Sequence, residues 1–132
     1  MSEKGGYSPV SQNIININDC PQFITKDRSK IREIMAPRNS IIPRQSLAEA
    51  VVPVGGATDE HYHKNSEEIY FVLSGVGEIR VNGESASVRV GDAIALPPKA
   101  VHKIWNRGDS DLVFLCVCVP PYEHGDTVIT EK

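Results

Sequence analysis

Short segments in which apolar and polar residues alternate fill much of the chain, and turn residues separate them. Alternation with a period of two places the apolar side chains on one face of a strand. Asn82-Gly83 joins two such segments and is a strong signal for a two-residue hairpin. Residues 112–119 are continuously apolar, which predicts a strand buried on both faces and ended by Pro120-Pro121. The alternating segments predicted as strands are 67–73, 78–81, 85–90 and 93–96.

The N-terminal third has a weaker pattern. Residues 13–17 are predicted to form a first strand. In 27–35, Ile31, Ile34 and Met35 have helical spacing, but Asp27-Arg28-Ser29 resembles a turn, so we predict a turn followed by a strand. Residues 44–54 are predicted as a strand that leads into Gly55-Gly56. Together these elements predict an all-β chain with many short strands.

Length and composition predict one domain. The chain has 132 residues, 40% of them hydrophobic and 23% charged, with 10 glycines and 9 prolines. We expect a loose N-terminal segment over 1–12, a β domain over 13–120 and a C-terminal tail over 121–132. A domain of this length buries roughly two-thirds of the surface of its unfolded chain.

Charge, hydropathy and cysteine content exclude several classes of function. The formal net charge is −3 and basic residues are not clustered, which argues against nucleic-acid binding. No apolar stretch approaches the roughly 20 residues that a membrane-spanning helix needs. Residues 1–6 lack the apolar core of a signal peptide, and the odd count of three cysteines includes no Cys-x-x-Cys. These features predict a reduced, cytoplasmic protein.

Three of the four histidines fall in two segments that suit metal binding. His61 and His63 point to one face of a strand because they are two residues apart. After a polar break, Glu68 lies on the next predicted strand, and His102 begins another strand after Pro97-Pro98-Lys99. Three strands can therefore direct three imidazoles and one carboxylate into a common interior. Such donors suit Fe, Mn, Zn, Ni or Cu, and four protein ligands leave positions open for water or substrate.

These two segments resemble the two motifs of the cupin superfamily. The first motif has a glycine, then His-x-His, a glutamate and a second glycine, and the second motif has Gly, Pro, His and Asn at set intervals. Lys99 departs from the pattern, because the family usually has glycine there, so that turn must accept a side chain or Lys99 lies over the pocket mouth. Glu67 competes with Glu68 as the acidic ligand, although the count back from the second glycine favours Glu68. The matching residues here are Gly55, His61, His63, Glu68, Gly75, Gly91, Pro97, His102 and Asn106.

The resemblance implies a fold and a class of activity. It implies a cupin-type antiparallel β-barrel, or double-stranded β-helix (jelly roll), with one divalent transition metal per chain. The ligands carried over from the motifs are His61, His63, Glu68 and His102. The expected activity is that of a metal-dependent enzyme on a small oxygenated organic substrate, with dioxygenase chemistry slightly ahead of an isomerase, decarboxylase or lyase. A non-catalytic module that binds a small molecule or sugar and a structural metal site are the alternatives.

Candidate catalytic residues come from the strand after the first motif and from the tail. Tyr70 shares the face of Glu68, so its hydroxyl either contacts a substrate, as hydrogen-bond partner or base, or lines the barrel without a catalytic role. A tail folded over the barrel mouth would allow His124 or Asp126 to act as acid or base. Arg44 could pair with a substrate carboxylate, but we expect it to be solvated.

The predicted strand 67–73 also gives an indication of the oligomeric state. If Glu68 faces the interior, the apolar side chains of Ile69, Phe71 and Leu73 face the opposite side of the sheet. An apolar patch of this size requires a cover, which is either an N-terminal strand of the chain or a second subunit. Homodimers are common among the proteins that this chain resembles, and we therefore predict a homodimer.

Overall fold

The computed structural model of the chain describes residues 10–131. In this part of the chain, strands and three short 3-10 helices (Val10–Asn13, Ile17–Asp19 and His124–Asp126) are the regular elements. None of the helices in it is long and apolar enough to cross a membrane. The strands are β1 Gln22–Ile24, β2 Lys30–Met35, β3 Ser46–Val52, β4 His61–His63, β5 Glu67–Ser74, β6 Val76–Val81, β7 Glu84–Arg89, β8 Ala93–Leu96, β9 His102–Asn106, β10 Leu112–Val119 and β11 Thr127–Ile129.

Two antiparallel sheets make up the fold. One has the strand order β1-β2-β3-β10-β5-β8, and the other has the order β11-β4-β9-β6-β7. Strands distant in sequence are neighbours in both sheets: β10 pairs with both β3 and β5, and β11 pairs with β4. This is a jelly-roll arrangement, and it confirms the predicted all-β, cupin-type fold class.

The core lies between the inner faces of the two sheets. Along β5 and β9 buried and more exposed residues alternate, as expected for strands with one inner face. Val72, Leu112 and Phe114 from one sheet and Ile104 from the other are completely or almost completely buried. These side chains close the apolar part of the interior, and the polar candidate site occupies the adjoining part, where the Tyr70 ring lies between Phe114 and His102.

Several predicted elements are confirmed closely. The predicted strands 93–96 and 112–119 are β8 and β10. Asn82 and Gly83 have φ of 49° and 88°, the pair of positive values that a tight hairpin turn of type I′ requires. The turn predicted at 27–29 is followed by β2, which settles the choice between helix and strand there.

Two predictions were wrong. The strand expected at 13–17 is absent, and two 3-10 helices, Val10–Asn13 and Ile17–Asp19, instead include the two ends of this segment. There the side chain of Asn16 accepts a hydrogen bond of 2.9 Å from the backbone N–H of Asn18, which stabilises a turn. The strand β10 is buried on one face and only half-buried on the other, because its outer face has no covering layer in residues 10–131. Its unbroken apolar sequence therefore does not indicate burial on both faces.

The turn before β9 contains the departure from the cupin pattern. Lys99 has φ of 70°, in the left-handed region that favours glycine, and it is exposed. Its backbone N–H donates a 2.7 Å hydrogen bond to the carbonyl of His63. The turn thus accepts a side chain, at the cost of a strained backbone conformation.

Candidate metal site

The three histidines of the two motifs meet in the interior. His61 and His63 lie on β4, and His102 on β9 is paired directly with His61. One ring nitrogen from each of the three lies within 4.8 Å of the others. The residues expose only 1%, 5% and 1% of their surface, respectively. The sheet register therefore brings together the imidazoles that the sequence predicted as ligands, and the group can hold a metal ion.

Backbone carbonyls set the orientation of two of these rings. Nδ1 of His61 lies 2.7 Å from the carbonyl oxygen of Asp59, and Nδ1 of His102 lies 2.8 Å from that of Ala100. A carbonyl only accepts hydrogen bonds, so each Nδ1 carries a proton and donates it. In the neutral imidazole the lone pair is then on Nε2, the nitrogen directed into the site.

A threonine hydroxyl orients the third ring. Nδ1 of His63 lies 3.1 Å from Oγ1 of Thr127, and this hydroxyl donates to the carbonyl oxygen of Glu123 at 3.2 Å. Because the hydroxyl proton is engaged there, Oγ1 accepts from Nδ1, and in the neutral ring of His63 the lone pair is on Nε2.

Glu68 supplies the carboxylate of the group. It reaches the histidines from β5 of the other sheet, and its Oε1 lies 3.1 Å from Nε2 of His63 and 3.7 Å from Nε2 of His102. Its Oε2 accepts a hydrogen bond of 3.4 Å from the thiol of Cys118. Glu67 is exposed on the opposite face of the strand, so the structure places Glu68 and not Glu67 beside the histidines.

The charges and lone pairs of the three histidines and Glu68 favour binding of a cation. Nε2 of His102 is buried and has no hydrogen-bond partner among the described residues. Burial, followed by the nearby His61, lowers the pKa of His102 to about 4, so its imidazole is neutral. Burial also disfavours a charged His63, but Glu68 outweighs this effect and raises its pKa. Acceptor atoms 3.1–3.7 Å apart around one point have the spacing of neighbouring ligands on a metal with bonds of about 2.0–2.2 Å.

Asp27 is a fifth polar residue at this site, and the sequence analysis missed it. It exposes 9% of its surface, and its Oδ2 lies 3.4 Å from Nε2 of His61. Burial raises the pKa of Asp27, but His61 and hydrogen bonds from Ser29 and Thr25 outweigh this and hold it below the usual value. The sequence did contain a signal for it, because every second residue of this segment lines the cavity beside the histidines. These residues are Thr25, Asp27, Ser29 and Ile31.

A cavity of about 40 Å³ adjoins the histidines. It has room for roughly three water molecules. Phe114 and Ala50 form part of its apolar wall, and Tyr70 also lines it. Burial, followed by the charge of Glu68, raises the pKa of Tyr70 well above its ordinary value, so the hydroxyl keeps its proton and can donate a hydrogen bond.

The two cysteines of β10 are directed to this interior. Cys116 and Cys118 both line the cavity, and Cys118 contacts Glu68 as described above. Burial raises the pKa of both thiols, so they remain protonated. The structure places both at the cavity as neutral side chains.

The C-terminal tail folds back, with a structural effect on the site. Its strand β11 pairs with β4 and brings Thr127 opposite His63. Asp126 is buried, and its carboxylate accepts hydrogen bonds from the backbone N–H groups of Asn65 and Ser66, in the turn before β5. His124 is exposed and lines a separate surface groove, so its catalytic role stays a prediction.

Two known proteins are similar to this chain in sequence. The chain is 50% identical over 109 residues to an uncharacterised protein of Methanocaldococcus jannaschii, an alignment that spans 83% of this chain and 87% of that protein. It is 33% identical over 73 residues to an oxalate-binding protein of Thermotoga maritima, spanning 55% of this chain and 60% of that one.

A solved structure and a family model extend the comparison. The polyketide cyclase RemF from Streptomyces resistomycificus superposes with a TM-score of 0.76 at 21% identity, covering 91% of this chain and 86% of that one. At this identity the likeness shows a shared fold. The model of the cupin domain matches residues 48–118, a segment that includes His61, His63, Glu68 and His102. The chain therefore belongs to the cupin family.

Proposed function

We propose that the protein is a metal-dependent enzyme acting on a small organic molecule that presents neighbouring oxygen atoms to the metal. The observation that carries this proposal is the buried group of three histidine nitrogens within 4.8 Å of one another, with Oε1 of Glu68 3.1 Å from that of His63 and a cavity beside the group. A structural zinc site is usually closed by four protein ligands, often cysteines, whereas a catalytic site keeps space for a substrate.

The charges around the cavity favour a neutral or singly charged substrate. Asp27, Glu33 and Glu68 line the cavity, and none of the described residues that line it is a lysine or arginine. Two carboxylates close to the histidines would balance the charge of a divalent ion, so a substrate dianion would be buried without a counter-charge. An enol, a hydroxyketone or a monocarboxylate fits this environment better than oxalate, the ligand named for the relative in Thermotoga maritima.

Tyr70 is the chain's own candidate for a catalytic group. Tyr70 lines the cavity, keeps its proton, and has its ring centre 5.8 Å from that of His102. A hydroxyl in this position donates a hydrogen bond to a substrate oxygen as negative charge develops on it. When bound, a divalent metal would supply Lewis-acid polarisation of the substrate oxygens, or dioxygen chemistry if it is redox-active. The reaction class that this arrangement favours is that of an isomerase, decarboxylase or lyase.

Dioxygenase chemistry is the second candidate. The apolar wall formed by Phe114, Ala50 and Ile31 favours it, because a dry wall admits dioxygen and excludes water from reactive species. The sequence motifs alone put this chemistry first. The proton-donating Tyr70 and the acidic lining now favour non-redox chemistry instead.

A two-stage experiment tests the proposal. Protein loaded with Co²⁺ is titrated with hydroxyacetone, which is neutral and has adjacent hydroxyl and carbonyl oxygens, and with oxalate. We expect a saturable change in the Co²⁺ absorption spectrum with hydroxyacetone and binding at least about tenfold weaker with oxalate. The His102→Ala variant is the control that loses the metal site.

The second stage separates the reaction classes. Hydroxyacetone is incubated in D₂O with protein loaded with Mn²⁺ or Fe²⁺, and exchange of its carbon-bound protons and oxygen uptake are followed. Proton exchange without oxygen uptake would support Lewis-acid chemistry, and uptake coupled to substrate loss would support a dioxygenase. Saturable binding with neither reaction, for this and related hydroxyketones, would contradict the enzyme proposal and leave a binding module.

A further inference from the structure

We propose that Asp27 is a fifth protein ligand of the metal, in addition to the three histidines and Glu68. This inference rests on the metal site of the proposed function and goes beyond the four ligands that the cupin motifs supply. Asp27 lies in the turn between β1 and β2, outside both motifs, and its Oδ2 is 3.4 Å from Nε2 of His61. That separation lies between the distances that join Glu68 to His63 and to His102, 3.1 and 3.7 Å.

The two oxygens of the Asp27 carboxylate have different surroundings. Oδ1 accepts three hydrogen bonds: from the backbone N–H of Ser29 at 3.0 Å, from its hydroxyl at 2.7 Å and from the hydroxyl of Thr25 at 2.7 Å. Oδ2 accepts no hydrogen bond from residues 10–131 and faces His61. Oδ2 is therefore the carboxylate oxygen whose lone pairs are available to a cation.

The tautomer of His61 strengthens this argument. Its Nδ1 donates to the carbonyl of Asp59, so in the neutral ring Nε2 carries a lone pair toward Oδ2 of Asp27. Two acceptor atoms at 3.4 Å repel each other unless a proton or a metal ion lies between them. Two ligands bonded to one ion at about 2.0–2.2 Å and separated by 90–110° are about 3–3.5 Å apart. The observed distance of 3.4 Å lies within this range.

The position of Asp27 is fixed by the backbone. Its carbonyl accepts a 2.8 Å hydrogen bond from the N–H of Asp59, two residues before His61. The neighbouring Arg28 has φ of 73°, and its Nε lies 3.2 Å from the Asp59 carboxylate. These contacts hold the turn against the segment that leads into β4, so Asp27 and His61 are positioned together without the help of an ion.

A fifth ligand has consequences for the choice of metal. Three neutral imidazoles and two carboxylates give the donor set a charge of −2, which matches a divalent ion. Five protein donors exceed the four of a tetrahedral zinc site and suit ions with larger coordination numbers, such as Mn²⁺ or Fe²⁺.

Mn²⁺ binding tests the assignment. The affinity of the full chain for Mn²⁺ is measured by electron paramagnetic resonance of the free ion, for wild type, Asp27→Asn and Asp109→Asn. Asparagine keeps an oxygen for the Ser29 and Thr25 hydrogen bonds but places an amide NH₂ opposite His61. We expect Asp27→Asn to bind Mn²⁺ about 10- to 100-fold more weakly. Asp109 is exposed in a loop, so Asp109→Asn removes the same charge and should stay within about twofold of wild type.

A measurement on the wild-type protein does not depend on the variant folding. With aspartate labelled by ¹³C at its side-chain carboxyl carbon, electron–nuclear double resonance of the Mn²⁺ protein should show strong coupling to a directly bound carboxylate. Absence of the coupling would overturn the ligation of Asp27, and so would an unchanged affinity in a folded Asp27→Asn variant. Failure of the wild type to bind Mn²⁺, Fe²⁺ or Co²⁺ would instead overturn the metal site itself.

Discussion

Oγ1 of Thr127 accepts a 3.1 Å hydrogen bond from Nδ1 of His63, a residue 64 positions earlier in the chain. This bond joins the C-terminal strand β11 to the proposed metal site and fixes which nitrogen of His63 faces inward. Partners of this kind orient a metal-binding histidine, and their loss typically weakens metal binding about 10- to 100-fold. Strand β11 of the C-terminal tail therefore positions His63, and a role of His124 or Asp126 as acid or base stays a prediction.

Substitution of Thr127 should weaken metal binding without unfolding the protein. We expect Thr127→Val, which has nearly the same shape, to lower Mn²⁺ affinity about tenfold, because the His63 ring loses its acceptor. Thr127→Ser retains the hydroxyl and should bind the ion as wild type does. Competition with a chelator measures both affinities, and thermal unfolding of the metal-free proteins controls for stability. Equal affinity in folded Thr127→Val would contradict the positioning role.

Asp126 should make the protein sensitive to acid. Burial raises its pKa, but hydrogen bonds from the backbone N–H groups of Ser66 and Asn65 outweigh this and lower it below the usual value. The carboxylate therefore stabilises the fold above the unfolded-state pKa of about 3.9, and this contribution is lost as pH falls through the lower folded-state pKa. We expect Asp126→Asn to lower the free energy of unfolding by about 2 kcal/mol at pH 7.

Urea unfolding between pH 7 and pH 3 tests the acid dependence. The difference in the free energy of unfolding between wild type and Asp126→Asn should shrink as the pH falls below about 4. Asp109→Asn, at an exposed position, should follow the wild-type curve. A constant difference between wild type and Asp126→Asn across the whole range would show that the Asp126 charge does not stabilise the turn before β5.

Replacing Lys99 with glycine, the residue usual at this position of the cupin pattern, should stabilise the protein. Lys99 has φ of 70°, where a residue with a Cβ is strained and glycine is not. The left-handed conformation costs roughly 1–2 kcal/mol, part of which glycine offsets through its freer unfolded chain. We therefore expect Lys99→Gly to raise the free energy of unfolding by about 0.5–1 kcal/mol in urea titrations. Lys99→Ala keeps the Cβ, and a gain of the same size in that variant would refute the explanation by backbone strain.

The outer face of β5 should mediate self-association. Ile69, Phe71 and Leu73 expose 47%, 39% and 42% of their surface, and no described segment of the chain covers them. We expect sedimentation equilibrium to give a homodimer for wild type and a folded monomer for Phe71→Glu, since a charge on an apolar interface is strongly unfavourable. Val90→Glu, at another exposed apolar residue, should remain dimeric. A monomeric wild type would contradict the predicted homodimer.

The features of the fold that the sequence predicts correctly are those specified by neighbouring residues. Asn82-Gly83 specifies its hairpin because both residues accept positive φ, and the two-residue spacing of His61 and His63 specifies a shared face on a strand. Glu68 was preferred over Glu67 by counting back from Gly75, and the structure places Glu68 inside. Position 75 requires glycine for two reasons: its φ is 86°, and a Cβ there would lie only 2.6 Å from the carbonyl oxygen of Asp111.

Features that depend on contacts distant in sequence were not predictable in this way. Strand β11 has three residues and is defined mainly by its pairing with β4, about 65 positions away. Asp27 was interpreted as a turn residue, because nothing local shows that its turn folds against the segment before His61. The apolar residues at 13–17 suggested a strand, but the local hydrogen bond of Asn16 stabilises a turn there.

Elemental analysis of protein purified without an affinity tag, with His102→Ala and Glu68→Ala beside it, tests the central claim most directly. The account predicts about one divalent transition metal ion per wild-type chain, and strongly reduced content in both variants, because each loses a ligand from a buried group of four or five. A wild-type chain that holds no metal after reconstitution with Mn²⁺, Fe²⁺, Co²⁺, Ni²⁺, Cu²⁺ and Zn²⁺ would contradict it. Equal metal content in wild type and both variants would contradict it as well.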